Sequence, residues 1–274
     1  MVNVANSVKR VLFVSSEIFP YLPETQLSKI ARFLPQGVQE RGREIRSFMP
    51  RYGCINERKN QLHEVIRLSG MNIVVDDVDR PLIIKVASIS AARIQVYFID
   101  NEDYFKRKQL VRSEDGTFFE DNAQRAVFFA RGVLETVKKL RWAPDIIHCH
   151  GWISHLVPVF LKAYRDDPIF SGSKVVLSLY EDVTDESFSD DLGKLLRFGS
   201  LGDVSGDLLA QPNGINLAKF AASRSDGIIL ASPNVNEDIV KYCRSLSVPV
   251  LGYNAESIEN GSYIDEYNGF YDKL

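Results

Sequence analysis

Short, β-branched and almost continuous apolar runs recur along this chain, at residues 11–15, 83–89, 94–99, 145–149, 175–179, 228–231 and 248–251. Such runs predict strands buried on both faces, because a strand with one wet face alternates apolar and polar residues. Between several of them the apolar positions fall at helical spacing: Leu27, Ile30, Leu34 and Val38 ahead of Gly42, and Ala126, Phe129, Val133, Leu134 and Val137 ahead of Trp142. Alternating strands and helices imply βαβ units with right-handed crossovers, hence an α/β fold with an open, mainly parallel sheet. Residues 61–100 break this rhythm, since strand-like runs follow one another around Gly70 and residues 76–80 with little room for helices. They predict a β-rich insertion. No repeat or low-complexity linker divides the chain, so the expectation is a single domain over 1–274, with a core at 9–251 and a tail at 252–274.

In open α/β sheets ligands sit outside the carboxyl ends of the strands. That rule directs attention to residues 15–26, 50–53, 150–155 and 180–191. The last of these includes an acidic run, residues 181–191, expected to form a long loop over a strand end.

Composition narrows the chemistry. Of the 274 residues 45% are hydrophobic and 25% charged, an ordinary globular balance, and the net charge of -3 is spread evenly. Without an electropositive surface a phosphate backbone is not an expected partner. Three widely spaced cysteines, Cys54, Cys149 and Cys243, form no disulfide framework and no Cys-x-x-Cys knuckle. The opening residues have no apolar core of signal length and no run suits a membrane helix, so a soluble, cytoplasmic protein without membrane contact is expected.

No G-x-G-x-x-G or G-x-x-x-x-G-K-[ST] occurs, so no nucleotide cofactor is expected, and a Gly-x-Ser-x-Gly elbow is missing too. Residues 199–206 are glycine-rich but follow no convincing strand, which predicts a flexible loop rather than a phosphate site. His148, His150 and His155 are three of the four histidines. Strand alternation points His148 and His150 to one side, where imidazoles could bind zinc. With no supporting glutamate pattern, the expectation is no metal: one core histidine and one that lines a cleft.

Read whole, the same stretch is more specific. Trp142-Ala-Pro-Asp-Ile-Ile-His-Cys-His-Gly-Trp152, followed by Leu156-Val-Pro158, resembles the W-x-P-D-I-I-H-x-H-D-W-H-x-x-L-x-P run of bacterial glycogen and starch synthases. Lys9-Arg-Val-Leu-Phe-Val-Ser-Ser-Glu17 with Pro20 is similar to that family's K-V-L-F-V-S-S-E-x-x-P. Phe48-Met-Pro-Arg-Tyr-Gly53 resembles its M-P-R-Y-G, and Val96-Tyr-Phe-Ile-Asp-Asn-Glu-Asp-Tyr-Phe105 its Y-F-I-D-N-x-x-Y-F. Asn216 and Lys219, Ser225-Asp226, and Ala231-Ser-Pro233 with Glu237 resemble later blocks.

The resemblance implies the N-terminal Rossmann-like half of a GT-B glycosyltransferase, the half that meets the α-glucan acceptor. The family's other half supplies most contacts to ADP-glucose and the basic groups for the departing diphosphate, and this chain is expected to lack it. Several family positions also depart from the pattern. Where the family has K-T-G-G-L, this chain has Pro23, Glu24, Thr25, Gln26 and Leu27. A lysine and two glycines that address the diphosphate are thereby replaced. Gly151 and Ile153 replace the aspartate and second histidine of H-D-W-H, and the family's I-H-N appears as Leu179, Tyr180 and Glu181.

Glu17, Tyr21, Tyr52, His150, Trp152 and Tyr180 remain as candidates for binding a glucan, since aromatic faces stack on pyranoses while polar edges bond hydroxyls. Packing is the competing role for Tyr52 and Trp152. Arg51 could hold a carboxylate or pair with a neighbouring acid, and Asn101, Asp103 and Tyr104 suit a turn cap. No residue is assigned a catalytic role. The expected protein is glycogen-synthase-like and catalytically degenerate, binding an α-glucan or maltooligosaccharide or a protein partner. Two alternatives stay open: an active transferase half completed by a second chain or by self-association, and a structural or regulatory protein that binds no sugar.

Overall fold

The computed structural model describes residues 8–188, 192–197, 208 and 210–274. In chain order the first half contains β1 (Arg10–Ser15), α1 (Gln26–Glu40), β2 (Glu44–Pro50), β3 (His63–Glu64), β4 (Met71–Val75), β5 (Val78–Ile89), β6 (Ile94–Asp100), α2 (Glu102–Phe105) and α3 (Asn122–Leu140). The second half adds β7 (Ile146–His150), α4 (Leu156–Leu161), β8 (Lys174–Leu179), α5 (Leu192–Arg197), α6 (Gly214–Ala222), β9 (Gly227–Leu230), α7 (Glu237–Ser245), β10 (Val250–Leu251), α8 (Ala255–Asn260) and α9 (Tyr263–Tyr271).

The strands form one sheet in the order β10-β9-β8-β7-β1-β2-β6-β5-β3, with β4 paired to β5. From β10 to β6 every neighbouring pair is parallel, and β5 turns antiparallel on β6. The central strands are buried along almost their whole length, as apolar runs covered on both faces must be. Helix α1 buries Leu27, Ile30, Ala31, Leu34 and Val38 on one stripe, and α3 does the same with Ala126, Phe129, Val133 and Val137.

Two aspartates pin the strand starts. Asp145 Oδ2 accepts the Lys9 and Arg10 amides at 2.7 and 2.8 Å, and Asp226 Oδ2 accepts the Val175 amide at 2.8 Å. Each ties the start of a strand to its neighbour, which accounts for aspartates just before β7 and β9.

Three features differ from what the apolar pattern suggests. Strand β2 has no uniform apolar run, because it begins with exposed Glu44 and half-buried Arg46 before its buried second half. Residues 61–100 are β-rich as expected, but their last strand, β6, lies beside β2 in the parallel body, so the added ribbon is β3, β4 and β5. Finally, residues 255–271 form two helices rather than a tail. Helix α9 packs on α1 and buries Tyr263, Tyr267, Phe270 and Tyr271 in the main core.

Candidate functional site

Parallel register brings the strand ends together. Ser15 pairs with His150 and His150 with Ser178, so Ser15, His150 and Tyr180 share the carboxyl edge of the sheet. The expected glycine-rich loop at 199–206 lies outside the described residues, as do residues 189–191 of the acidic run.

Under this edge lies a ladder of buried rings. His148 and His150 stand on one side of β7 with centroids 3.9 Å apart, and Phe13 lies about 6 Å from both. Both ring nitrogens of His148 are engaged, Nδ1 with the Tyr271 hydroxyl and Nε2 with Ser178 Oγ, each at 2.7 Å. His150 Nδ1 shares a hydrogen bond with the Tyr180 hydroxyl at 2.8 Å, while its Nε2 is buried without a partner among the described residues. Burial drives the His148 pKa well below its usual value, and the neighbouring His150 lowers it further. Burial alone lowers His150 and His155 to about 3. All three are neutral at pH 7. Among the described residues no three His, Cys, Asp or Glu side chains converge as a metal group.

Beyond His150 the backbone turns at Gly151, whose φ of +81° is strained for residues bearing a side chain. A Cβ there would stand 2.4 Å from Ser16 Oγ and 2.7 Å from Leu27 Cδ1. This turn cannot carry an aspartate without shifting. A carboxylate arrives from elsewhere: Asp182 Oδ2 accepts the Trp152 amide at 2.7 Å, and its Oδ1 is buried without a partner among the described residues. Burial pushes the Asp182 pKa up to about 6; the Trp152 hydrogen bond opposes that shift, and the charge of Glu17 adds to it. Burial also raises Glu17, against the hydrogen bond it accepts from Thr25 Oγ1 at 3.0 Å.

The start of α1 is closed by its own side chains. Thr25 Oγ1 accepts the Ser28 amide at 3.0 Å, while Ser28 Oγ accepts the Thr25 amide at 2.8 Å, a reciprocal capping box. Gln26 Nε2 donates to the Ala231 carbonyl at 2.5 Å and bridges to the end of β9. Pro23 and Glu24 are exposed, Glu24 pairing with Lys29 at 3.0 Å. Glu181, also exposed, accepts from Asn234 Nδ2 at 2.9 Å, and Ile153 is buried.

Of the six candidate glucan contacts, Glu17 alone is half-buried, and the other five are buried. Tyr21 packs edge-on against Phe98, Tyr52 against Phe105, and Trp152 stacks on Phe188 at 6.2 Å. Tyr52 lies within 6.0 Å of the buried Arg125 guanidinium. These rings therefore hold the strand ends together. Arg51 pairs with Asp100 at 3.0 Å and with Glu57 at 3.3 Å. Asn101 caps α2 by accepting the Asp103 and Tyr104 amides. Asp182 and Phe188 were not singled out in the sequence, although both lie in the loop flagged after β8.

The site thus belongs to an open, mostly parallel α/β domain with its polar groups at the carboxyl edge, the N-terminal half of a GT-B fold. Residues 10–247 match the family model described as the starch synthase catalytic domain, and the chain belongs to that family. It is 34% identical over 275 residues to a glycogen synthase of Chlorobium luteolum, covering 97% of this chain and 55% of that one. A glycogen synthase of Chlorobium limicola is 41% identical over 173 residues, covering 62% and 35%. The chain therefore spans about half the length of the first relative or less of the second. Among solved structures, the catalytic domain of Starch Synthase IV from Arabidopsis thaliana, bound to ADP and acarbose, superposes with a TM-score of 0.65. At 17% identity, covering 92% of this chain and 53% of that one, it shows the shared fold. No helix among the described residues is long and apolar enough to cross a membrane.

Proposed function

We propose that this chain is a glycogen-synthase-like domain that no longer addresses the diphosphate of a nucleotide-sugar donor and retains at most weak engagement of an α-glucan. One observation carries the first part: the N-terminus of α1 is filled by the Thr25–Ser28 capping box and faced by the Glu17 carboxylate. A helix N-terminus attracts anions only through free amides and a field that no nearby negative charge offsets. Here the Ser28 amide is taken and Glu17 stands beside the cap. Positive charge on the leaving diphosphate, often the largest electrostatic contribution to transfer, has no source among these residues.

Support for the glucan comes from kinship: the similar chains are glycogen synthases, and the solved relative holds ADP and acarbose. A second reading, a structural or partner-binding domain without sugar, is favoured by the burial of Tyr52, Trp152 and Tyr180, which leaves their faces unavailable for stacking.

One measurement tests the loss of donor chemistry and a second separates the two readings. The purified chain incubated with labelled ADP-glucose and glycogen should incorporate no glucose, and clear incorporation overturns the proposal. Maltoheptaose titrated into isotopically labelled protein should shift resonances near Glu17, Trp152 and Asp182 with a dissociation constant around millimolar, about -4 kcal/mol. Silence at several millimolar sugar transfers the case to the second reading.

A further inference from the structure

At the opposite end of the sheet from the strand ends discussed above, a groove of about 590 Å³ opens where β2 and β6 begin. Arg43, Arg46 and Arg93 line it together with Tyr97 and Trp142, and Glu44 is its one carboxylate. Glu44 is already engaged: its Oε2 accepts Trp142 Nε1–H at 3.0 Å and Arg10 Nε–H at 3.3 Å. Arg43, with a side chain only 8% exposed, turns Nη2 to Asp272 at 2.8 Å and to the Asn268 carbonyl at 3.2 Å. Its Nη1 is buried without a hydrogen-bond partner among the described residues. Arg46 lies 5.2 Å from the Trp142 ring and donates from Nη1 to the Tyr97 hydroxyl at 2.5 Å, and its Nε is likewise buried and unpartnered.

Buried guanidinium donors left without a partner are costly, and native structures rarely leave them so. Neither Arg46 nor Arg93 has a carboxylate within ion-pair distance among the described residues, while Arg43 and Glu44 are neutralised by Asp272 and Arg10. Two positive charges are left over on one wall. The guanidinium fork matches tetrahedral and carboxylate oxyanions, and the groove has the size of a small-molecule site. A phosphate monoester carries close to two negative charges at neutral pH, equal to that surplus, whereas a monocarboxylate would leave one arginine uncompensated.

We propose that the groove formed by Arg43, Arg46, Arg93 and Trp142 binds the phosphate group of a small phosphorylated molecule. It lies away from the carboxyl edge and does not rest on the reading of that edge.

The two tryptophans provide the readout, since Trp142 lines the groove and Trp152 lies at the other edge. Inorganic phosphate added to ¹⁵N-labelled protein at constant ionic strength should move the Trp142 indole resonance saturably while Trp152 stays still. Arg46→Gln should weaken the apparent affinity about tenfold, the loss of a charge-assisted contact. Arg93 is exposed, so Arg93→Ala should leave the fold intact and weaken binding about threefold, as expected for a solvent-screened charge. The proposal is overturned by an unmoved Trp142 resonance at about 20 mM phosphate, a concentration that saturates any millimolar site. It is equally overturned if both variants respond as the parent does, or if succinate binds as tightly as phosphate.

Discussion

The Asp182 carboxylate accepts the backbone amide of Trp152 across thirty positions of sequence, in the loop where Gly151 leaves no room for a side chain. The carboxylate at this turn thus comes from the loop after β8, and its second oxygen is buried with no donor among the described residues.

That arrangement has a pH signature. The folded pKa of Asp182, about 6, exceeds its ordinary value of 3.8, so the folded state holds this proton more tightly than the unfolded one. Its contribution to stability is present in acid and is lost as pH rises from about 4 to 6. Asp182→Asn should remove about 1–2 kcal/mol of that variation, a figure discounted for the part of the residue that reaches solvent. Urea unfolding of parent and variant at pH 4.5 and 7.5 measures it, and parallel pH profiles would rule out the assignment.

Gly151→Asp restores the family residue and should nonetheless destabilise, because the positive φ and the 2.4 Å approach to Ser16 Oγ both oppose it. The expected loss is about 2 kcal/mol or more. Adding Ser16→Gly should recover only part, since the backbone strain stays. A thermal midpoint unchanged in Gly151→Asp would show that the loop relaxes freely.

Thr25→Ala should cost about 1 kcal/mol by opening the capping box of α1. The triple change Pro23→Lys, Thr25→Gly and Gln26→Gly should free the helix N-terminus without restoring glucose incorporation, because the resemblance assigns most donor contacts to the family's other half and this chain spans about half the length of such a relative. Denaturation reports the first effect and a labelled-glucose assay the second.

Tyr271→Phe should cost about 1–3 kcal/mol, since His148 Nδ1 would be left buried and unpaired. Removing residues 252–274 should abolish folding altogether, because it strips four large rings of α9 from the core and leaves that nitrogen without its partner. A truncated chain with native dispersion in its NMR spectrum would refute this.

The strand ends could be read from sequence because periodicity and the carboxyl-edge rule are both local: Ser15, His150 and Tyr180 fell on one edge as expected. The roles of their neighbours could not, because tyrosine and tryptophan serve equally as packed or exposed residues. Whether Trp152 meets sugar or Phe188 depends on a contact 36 residues away, and Asp182 was one acid among many in its loop until the Trp152 amide singled it out. The helices after residue 251 were missed for a related reason. Their rings at Tyr263, Tyr267, Phe270 and Tyr271 are spaced for a helix, but the stretch is short and polar enough to read as a tail.

The neutral histidine ladder makes acid the natural enemy of this fold. His148, His150 and His155 hold no proton when folded and should each take one up near pH 5 once exposed. Asp182 releases one in exchange over part of that range, so unfolding consumes a net of about two protons, or roughly 3 kcal/mol per pH unit. A slight drop in pH would leave the molecule untouched, while a fall of two units below neutrality would erase most of the margin an ordinary domain possesses.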